Sequence, residues 1–124
     1  MDKDIRHRKL SFDVVGCAQR VHRVLGPGFP ESVYHRAMCH ELGKAKIPFA
    51  SEKSVEVFYE NISCGRFRLD LVVDGKIVLE LKALSGFCDD HIAQALSYLK
   101  ATGLRLAILL NFGGKSLESR RVVL

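Results

Sequence analysis

The sequence predicts an α/β domain: a central mixed β-sheet flanked by α-helices, with elements in the order ααβββαββ. Three observations predict it. Two stripes of helical period come first, separated by Gly26-Pro27-Gly28. Apolar residues then alternate with period two through three successive segments. A last helical pattern runs into the apolar run Leu104 to Leu110, interrupted only by Arg105, as expected of a strand covered on both faces and reached by a helical crossover.

Each element has its own warrant. Ser11 is a candidate cap for a helix in which Val14, Ala18, Val21 and Leu25 form an apolar stripe. The second helix starts with Pro30 and Glu31, both favoured in a first turn, and carries Val33, Tyr34, Ala37, Met38 and Leu42 to about Gly43. Val55, Val57 and Tyr59 then alternate in a first strand. Phe67, Leu69, Leu71 and Val73 make a second, and Ile77, Leu79 and Leu81 a third. A third helix, capped by Asp89 and stopped by Gly103, places Ile92, Leu96 and Leu99 on one face. The apolar run follows, and Glu118 to Leu124 reads as a short edge strand.

The 124 residues suit one domain, residues 1–124, large enough for a core without a disulfide or structural metal. The longest unbroken aliphatic run in that stretch, Leu106 to Leu110, is too short to span a membrane. Residues 1–10, MDKDIRHRKL, form a charged N-terminal segment with no apolar signal-peptide core, which predicts a cytoplasmic protein. The net charge of +5 is unevenly spread: residues 1–25 carry six basic and three acidic side chains, residues 26–112 ten of each, and residues 113–124 three basic and one acidic. Basic ends on a neutral middle suit either a polyanion partner or plain solvation. Cys17, Cys39, Cys64 and Cys88 are spaced too widely for a paired-cysteine zinc motif; His35 with Cys39, or Cys88 with His91, offers at most a half-site.

The chemistry concentrates in Arg66 to Ala83, RFRLDLVVDGKIVLELKA. Odd positions from Phe67 to Leu81 are apolar, and all the strand charges fall at even positions: Arg66, Arg68, Asp70, Lys76, Glu80 and Lys82. For the apolar sets to share a face, even residues must pair with even, which requires an odd loop; Val73-Asp74-Gly75 is the expected one, with Gly75 left-handed. Asp70, Glu80 and Lys82 then project together. Such a face can be an exposed set of cross-strand ion pairs. That is the commoner case on antiparallel strands; the other is a metal site, because two converging carboxylates repel unless a cation lies between them.

Asp70, nine residues, then Glu80-Leu81-Lys82 resembles the core motif of the PD-(D/E)XK nuclease superfamily, with Leu69 in place of the proline. Gly28-Phe29-Pro30-Glu31-Ser32-Val33-Tyr34 resembles the signature of the GxxExxY family, a branch of that superfamily. Leu25-Gly26-Pro27-Gly28, Gly65-Arg66-Phe67-Arg68, Gln94 with Tyr98, and Leu110-Asn111-Phe112-Gly113 extend the similarity over residues 11–124. The resemblance implies a restriction-endonuclease-like fold and a metal-dependent nuclease that hydrolyses phosphodiester bonds of nucleic acid, with DNA the expected substrate and Mg²⁺ or Mn²⁺ the cofactor. It implies that Asp70 and Glu80 ligate the metal and that Glu31 is the helical acid of the site. Lys82 would orient the attacking water, while Gln94 and Tyr98 position Lys82 or the phosphate backbone. Gln94 and Tyr98 lie nearly opposite Ile92, Leu96 and Leu99, and the expectation is that Gln94 faces the sheet. His22 is a candidate to reach the site from the first helix. Arg66 and Arg68 are the expected nucleic-acid contacts, with Arg6, Arg8, Lys9, Arg120 and Arg121 further candidates at the ends. So small a domain suggests a homodimer or a subunit of a larger complex; the alternative function is a non-catalytic or partner-dependent binding module of the same fold.

Overall fold

A computed structural model describes residues 7–124. Helix α1 (Arg8–Leu25) and helix α2 (Glu31–Lys44) are followed by strands β1 (Phe49–Tyr59), β2 (Ile62–Val73) and β3 (Ile77–Lys82). Helix α3 (Asp89–Thr102), β4 (Leu106–Asn111) and β5 (Glu118–Val123) complete the chain in the expected order. The sheet order is β1-β2-β3-β4-β5, antiparallel except for the β3–β4 pair, which runs parallel across the α3 crossover. All six residues of β4 are buried, as the apolar run Leu106 to Leu110 requires, and the polar Asn111 at its end is buried with them.

The sheet separates two cores. On one face α1 and α2 bring Val14, Ala18, Val21, Tyr34, Met38 and Leu42 onto Leu71, Ile77, Leu79, Leu81 and Ile108. On the other, Ala95 and Leu99 of α3 cover Leu69, Val72, Val78, Ala107 and Leu109.

Several boundaries differ from the sequence expectation. Helix α1 starts at Arg8, so Ser11 lies inside it rather than capping it; its buried hydroxyl has no partner among the described residues. The cap of α3 is Cys88 rather than Asp89, and His91 Nδ1 accepts the Cys88 N–H at 3.0 Å, so that potential zinc half-site serves as a capping box instead. Strand β1 begins six residues before Val55, because a long hairpin partner pairs residues whose side chains stay in solvent. The β2–β3 loop is Asp74-Gly75-Lys76, one residue later than expected, with Val73 paired to Ile77. Its length is odd and even residues pair with even, as the pattern required. Asp74 (φ 52°) and Gly75 (φ 62°) are both left-handed, and the Lys76 N–H closes the turn on the Val73 carbonyl at 2.9 Å.

The larger correction concerns the faces of β2. Leu71 and Val73 pack under α1 and α2, but Phe67 and Leu69 pack under α3. The odd positions therefore do not share one face. The β1–β2 ladder pairs Ser51 with Leu71 and Lys53 with Leu69, yet omits Glu52 and Asp70 between them. Glu52 is left-handed there (φ 53°), an uncommon state for a residue with a side chain, and the alternation of both strands inverts across it. Beyond this inversion β1 and β2 continue as a two-stranded arm whose tip exposes Phe58, Tyr59 and Ile62.

Candidate active site

Strands β2 and β3 hold regular pairing only from Val73–Ile77 to Leu71–Leu79. At the next pair, Asp70 and Glu80, the ladder gives way to side chains. Asp70 Oδ2 accepts the Leu81 N–H at 2.9 Å, and Glu80 Oε2 accepts the Asp70 N–H at 3.4 Å. The two acids are thus fixed across the point where the strands separate, each by main-chain donors of its neighbour.

Glu80 is only 4% exposed. Burial, reinforced by the Asp70 carboxylate, pushes its pKa up to about 8, against the opposing pull of the Asp70 N–H and of Lys82. Glu31 stands at the first position of α2, mostly exposed, and its carboxyl is raised by partial desolvation and by Asp70, with Lys82 and His35 acting the other way. Lys82 is half-buried at the end of β3, two residues from Glu80.

The starting turn of α2 is held from within. The buried Tyr34 hydroxyl donates to the Gly26 carbonyl at 2.6 Å and accepts the Phe29 N–H at 3.2 Å, tying the Gly26–Phe29 loop that delivers Glu31. Its ring stacks on Phe112 with centroids 4.6 Å apart. The segment after Lys82 is held by Asn111, which is 1% exposed. Its side chain accepts the N–H groups of Leu84 (2.8 Å) and Gly113 (3.1 Å) and donates to the Leu84 carbonyl (3.0 Å) and Glu118 (3.3 Å). A Cβ on Gly113 would lie 2.2 Å from the Leu84 carbonyl oxygen, so only glycine fits there. Thus Asn111-Phe112-Gly113 braces both the α2 side and the Lys82 side of the site. Tyr34 and Asn111 entered the sequence reading only as part of the motifs Gly28 to Tyr34 and Leu110 to Gly113, with no role attached; beyond that, a polar residue ending an otherwise apolar strand was the available hint for Asn111.

Of the residues expected at the site, Glu31, Asp70, Glu80 and Lys82 lie within electrostatic reach of one another, and Tyr98 within reach of Glu80 and Asp70. Tyr98 stacks on Phe67 with centroids 4.6 Å apart, and its phenol is raised by burial and by Glu80 and Asp70. Gln94 differs from expectation: Ala95 and Leu99 take the sheet-facing side of α3, and Gln94 is exposed one turn before Tyr98. His22 is also structural, buried beside Phe112 with Nε2 2.9 Å from the Gly114 carbonyl oxygen. Arg68 pairs with Glu52 at 2.9 Å and Arg66 with Glu56 at 3.4 Å, both along the β1–β2 arm. Arg120 and Arg121 belong to β5, at the opposite edge of the sheet, and Arg6 lies outside the described residues.

Among the described residues no three His, Cys, Asp or Glu side chains are placed to hold a metal ion; of the three expected acids, Asp70 and Glu80 are the hydrogen-bonded pair and Glu31 stands nearby. That pair still fits Mg²⁺ or Mn²⁺. Hard carboxylate oxygens suit these ions, and Mg²⁺ is commonly held by one or two carboxylates together with water and substrate phosphate. A buried Glu beside a second carboxylate gains most from such a cation.

An open cleft of about 490 Å³ runs from Glu31, Asp70 and Leu81 along α2 to His35, Arg36 and Cys39, and is walled by Ser51 and Glu52 of β1 and Arg68 of β2. No described helix is long and apolar enough to cross a membrane.

Comparison with known proteins agrees with this architecture. The solved structure of SSO0001 superposes with a TM-score of 0.59 at 16% identity, over 74% of this chain and 48% of that one, a likeness of fold alone in which this chain matches about half of the other's length. No curated protein matches the sequence. The family model described as the PD-(D/E)XK nuclease superfamily matches residues 8–122. With its two acids at a strand split, its Glu-x-Lys strand and a family match along nearly its whole length, the chain belongs to the PD-(D/E)XK nuclease superfamily.

Proposed function

We propose that this protein is a metal-dependent nuclease that hydrolyses phosphodiester bonds of nucleic acid, with DNA as the favoured substrate. The observation that carries the reading is the pairing of Asp70 with a buried Glu80 where β2 and β3 separate, two residues before Lys82. Asp70 and Glu80 each commit one oxygen to a main-chain N–H, and the two carboxylates would hold Mg²⁺ or Mn²⁺. When bound, the ion supplies Lewis-acid polarisation of the phosphate and lowers the pKa of a bound water. Loading the site requires Glu80 to give up the proton that its raised pKa retains at neutral pH. Lys82 orients the attacking water and offsets charge building on the phosphate oxygens. Glu31 takes a hydrogen bond from water at the mouth of the site. Tyr98, with Gln94 a turn before it, contacts the phosphate backbone from the α3 side, and Arg66 and Arg68 lie along its path. A homodimer in the cytoplasm suits cleavage of two strands.

One observation favours a second reading, a partner-dependent module: the arm's arginines are ion-paired and its tip presents Phe58, Tyr59 and Ile62 to solvent, a surface suited to a protein neighbour. Purified protein with Mg²⁺ or Mn²⁺, offered single-stranded, duplex and branched DNA and RNA, separates the two. Hydrolysis should fall by about a hundredfold or more in Asp70→Ala and in Lys82→Ala. Cleavage that persists in both would overturn the site, and no cleavage of any substrate would favour the partner-dependent module.

A further inference from the structure

The cleft is longer than a single phosphate requires. Its inner end holds Glu31 and Asp70; its outer end is built from His35, Arg36 and Ser51. His35 Nε2 lies 2.8 Å from Ser51 Oγ, which fixes the imidazole against the wall of β1. Arg68, the other arginine lining the cleft, is paired with Glu52, whereas Arg36 makes no ion pair among the described residues. The outer end therefore offers a guanidinium, an imidazole and a hydroxyl to a ligand. These are groups that bind a phosphate oxygen: Arg as a planar two-pronged donor, and the hydrogen-bonded His35–Ser51 pair through the donor its contact leaves free, the Ser51 hydroxyl or the His35 Nδ1–H according to the tautomer. Glu31 and His35 are four residues apart on one helix, so the two ends stand about 6 Å apart along the α2 axis. That separation is comparable with the distance between successive phosphates of one nucleic-acid strand.

We propose that Arg36, His35 and Ser51 form a subsite for the phosphodiester next to the scissile one, so that the cleft grips two consecutive phosphates of the same strand. The proposal rests on the nuclease reading and adds to it the outer subsite and its ligand. Arg36 supplies the charge, while the Ser51–His35 contact sets the imidazole. The substrate strand then runs along α2, from the two acids outward.

The two claims can be tested apart with thymidine 3′,5′-bisphosphate and thymidine 5′-monophosphate, neither of which has a diester to cleave. Calorimetric titration in Mg²⁺ should show wild type binding the bisphosphate about tenfold more tightly than the monophosphate, the gain expected of one additional charge-assisted contact. Arg36→Gln and His35→Gln, both at the surface of α2, should remove most of that advantage while leaving monophosphate binding unchanged. Equal affinity of wild type for the two ligands overturns the subsite, as does an advantage that survives both substitutions. Monophosphate binding that is lost in Asp70→Ala supports the metal site independently. Its persistence there would overturn the reading of the inner end and leave the bisphosphate comparison intact as a test of the outer one.

Discussion

At the residue scale the molecule's least comfortable group is Glu80. Its pKa is about 8 in the folded chain and 4.5 when unperturbed. The folded state therefore holds a proton that the unfolded chain has already released. The stabilisation this gives is full below about pH 4.5 and is lost as pH rises through about 8. Metal-free protein should lose a few kcal/mol of stability over that window, since each tenfold difference in proton affinity between the folded and unfolded chain is worth about 1.4 kcal/mol. Thermal melts should show Glu80→Gln nearly level across the same range and more stable than wild type at its upper end. Saturating Mg²⁺ should raise the melting temperature of wild type more at pH 8 than at pH 6, where protons compete for the site. Level wild-type melts across the window would show that Glu80 is not buried as described. Tyr34 poses a smaller test. Tyr34→Phe removes the hydroxyl that joins Gly26 to Phe29, and should cost about 1–2 kcal/mol in chemical denaturation. A nuclease assay should show a lower turnover as well, because Glu31 is delivered by that loop. Asp70, Glu80 and Lys82 were legible as chemistry because charges stand out in apolar strands; Tyr34 was legible as part of the Gly28-to-Tyr34 motif but its role was not, because an aromatic at helical spacing reads equally as core.

At the element scale the β2–β3 hairpin shows what pattern can and cannot fix. Parity required an odd loop, and the loop is odd. The position of the loop was off by one residue because Val73 pairs with Ile77, leaving Lys76 to complete the turn. The inversion at Glu52 and Asp70 was invisible to pattern, because apolar residues occur at odd positions on both sides of it and the two helical layers bury both sets. Helix α3 was ambiguous for a related reason: it carries apolar residues on one side and a polar pair on the other, and only the sheet decides which faces inward. The Asn111-to-Gly113 corner gives the sharpest element-level prediction. Gly113→Ala would drive a methyl group into the Leu84 backbone, and Asn111→Ala would strip the hydrogen bonds from both polar groups of Leu84. Each should lower stability by about 2–3 kcal/mol in denaturant titration. Losses below a few tenths would mean that the segment after Lys82 is not held there.

At the scale of the whole molecule, the order of elements was readable from period and punctuation, and the family from a few spaced residues. The distribution of charge acquires a place only in three dimensions. Basic residues of β5 stand at the far edge of the sheet from the arm, so any phosphate grip near the acids depends on Lys82 and Arg36, with Arg68 held by its pair with Glu52. The cysteines follow the same logic of position. Cys17 is buried and Cys39 half-buried, and burial pushes both thiols up; Cys64 and Cys88 are exposed. A thiol-reactive chromogen should therefore label Cys64 and Cys88 promptly in native protein, Cys39, half-buried in the wall of the open cleft, more slowly, and Cys17 on the timescale of unfolding. Rapid labelling of Cys17 would contradict the packing of α1 on the sheet.

The strand split carries one more consequence. The Leu81 amide is the first N–H of β3 to be held by the Asp70 carboxylate. A carboxylate shares its charge between this proton and whatever else approaches it. The ¹⁵N–¹H resonance of Leu81 is thus a built-in gauge of the electron density on Asp70, readable without substrate or turnover. Divalent cations should move that peak, and the Leu79 amide, which lies within the regular ladder, supplies the internal reference.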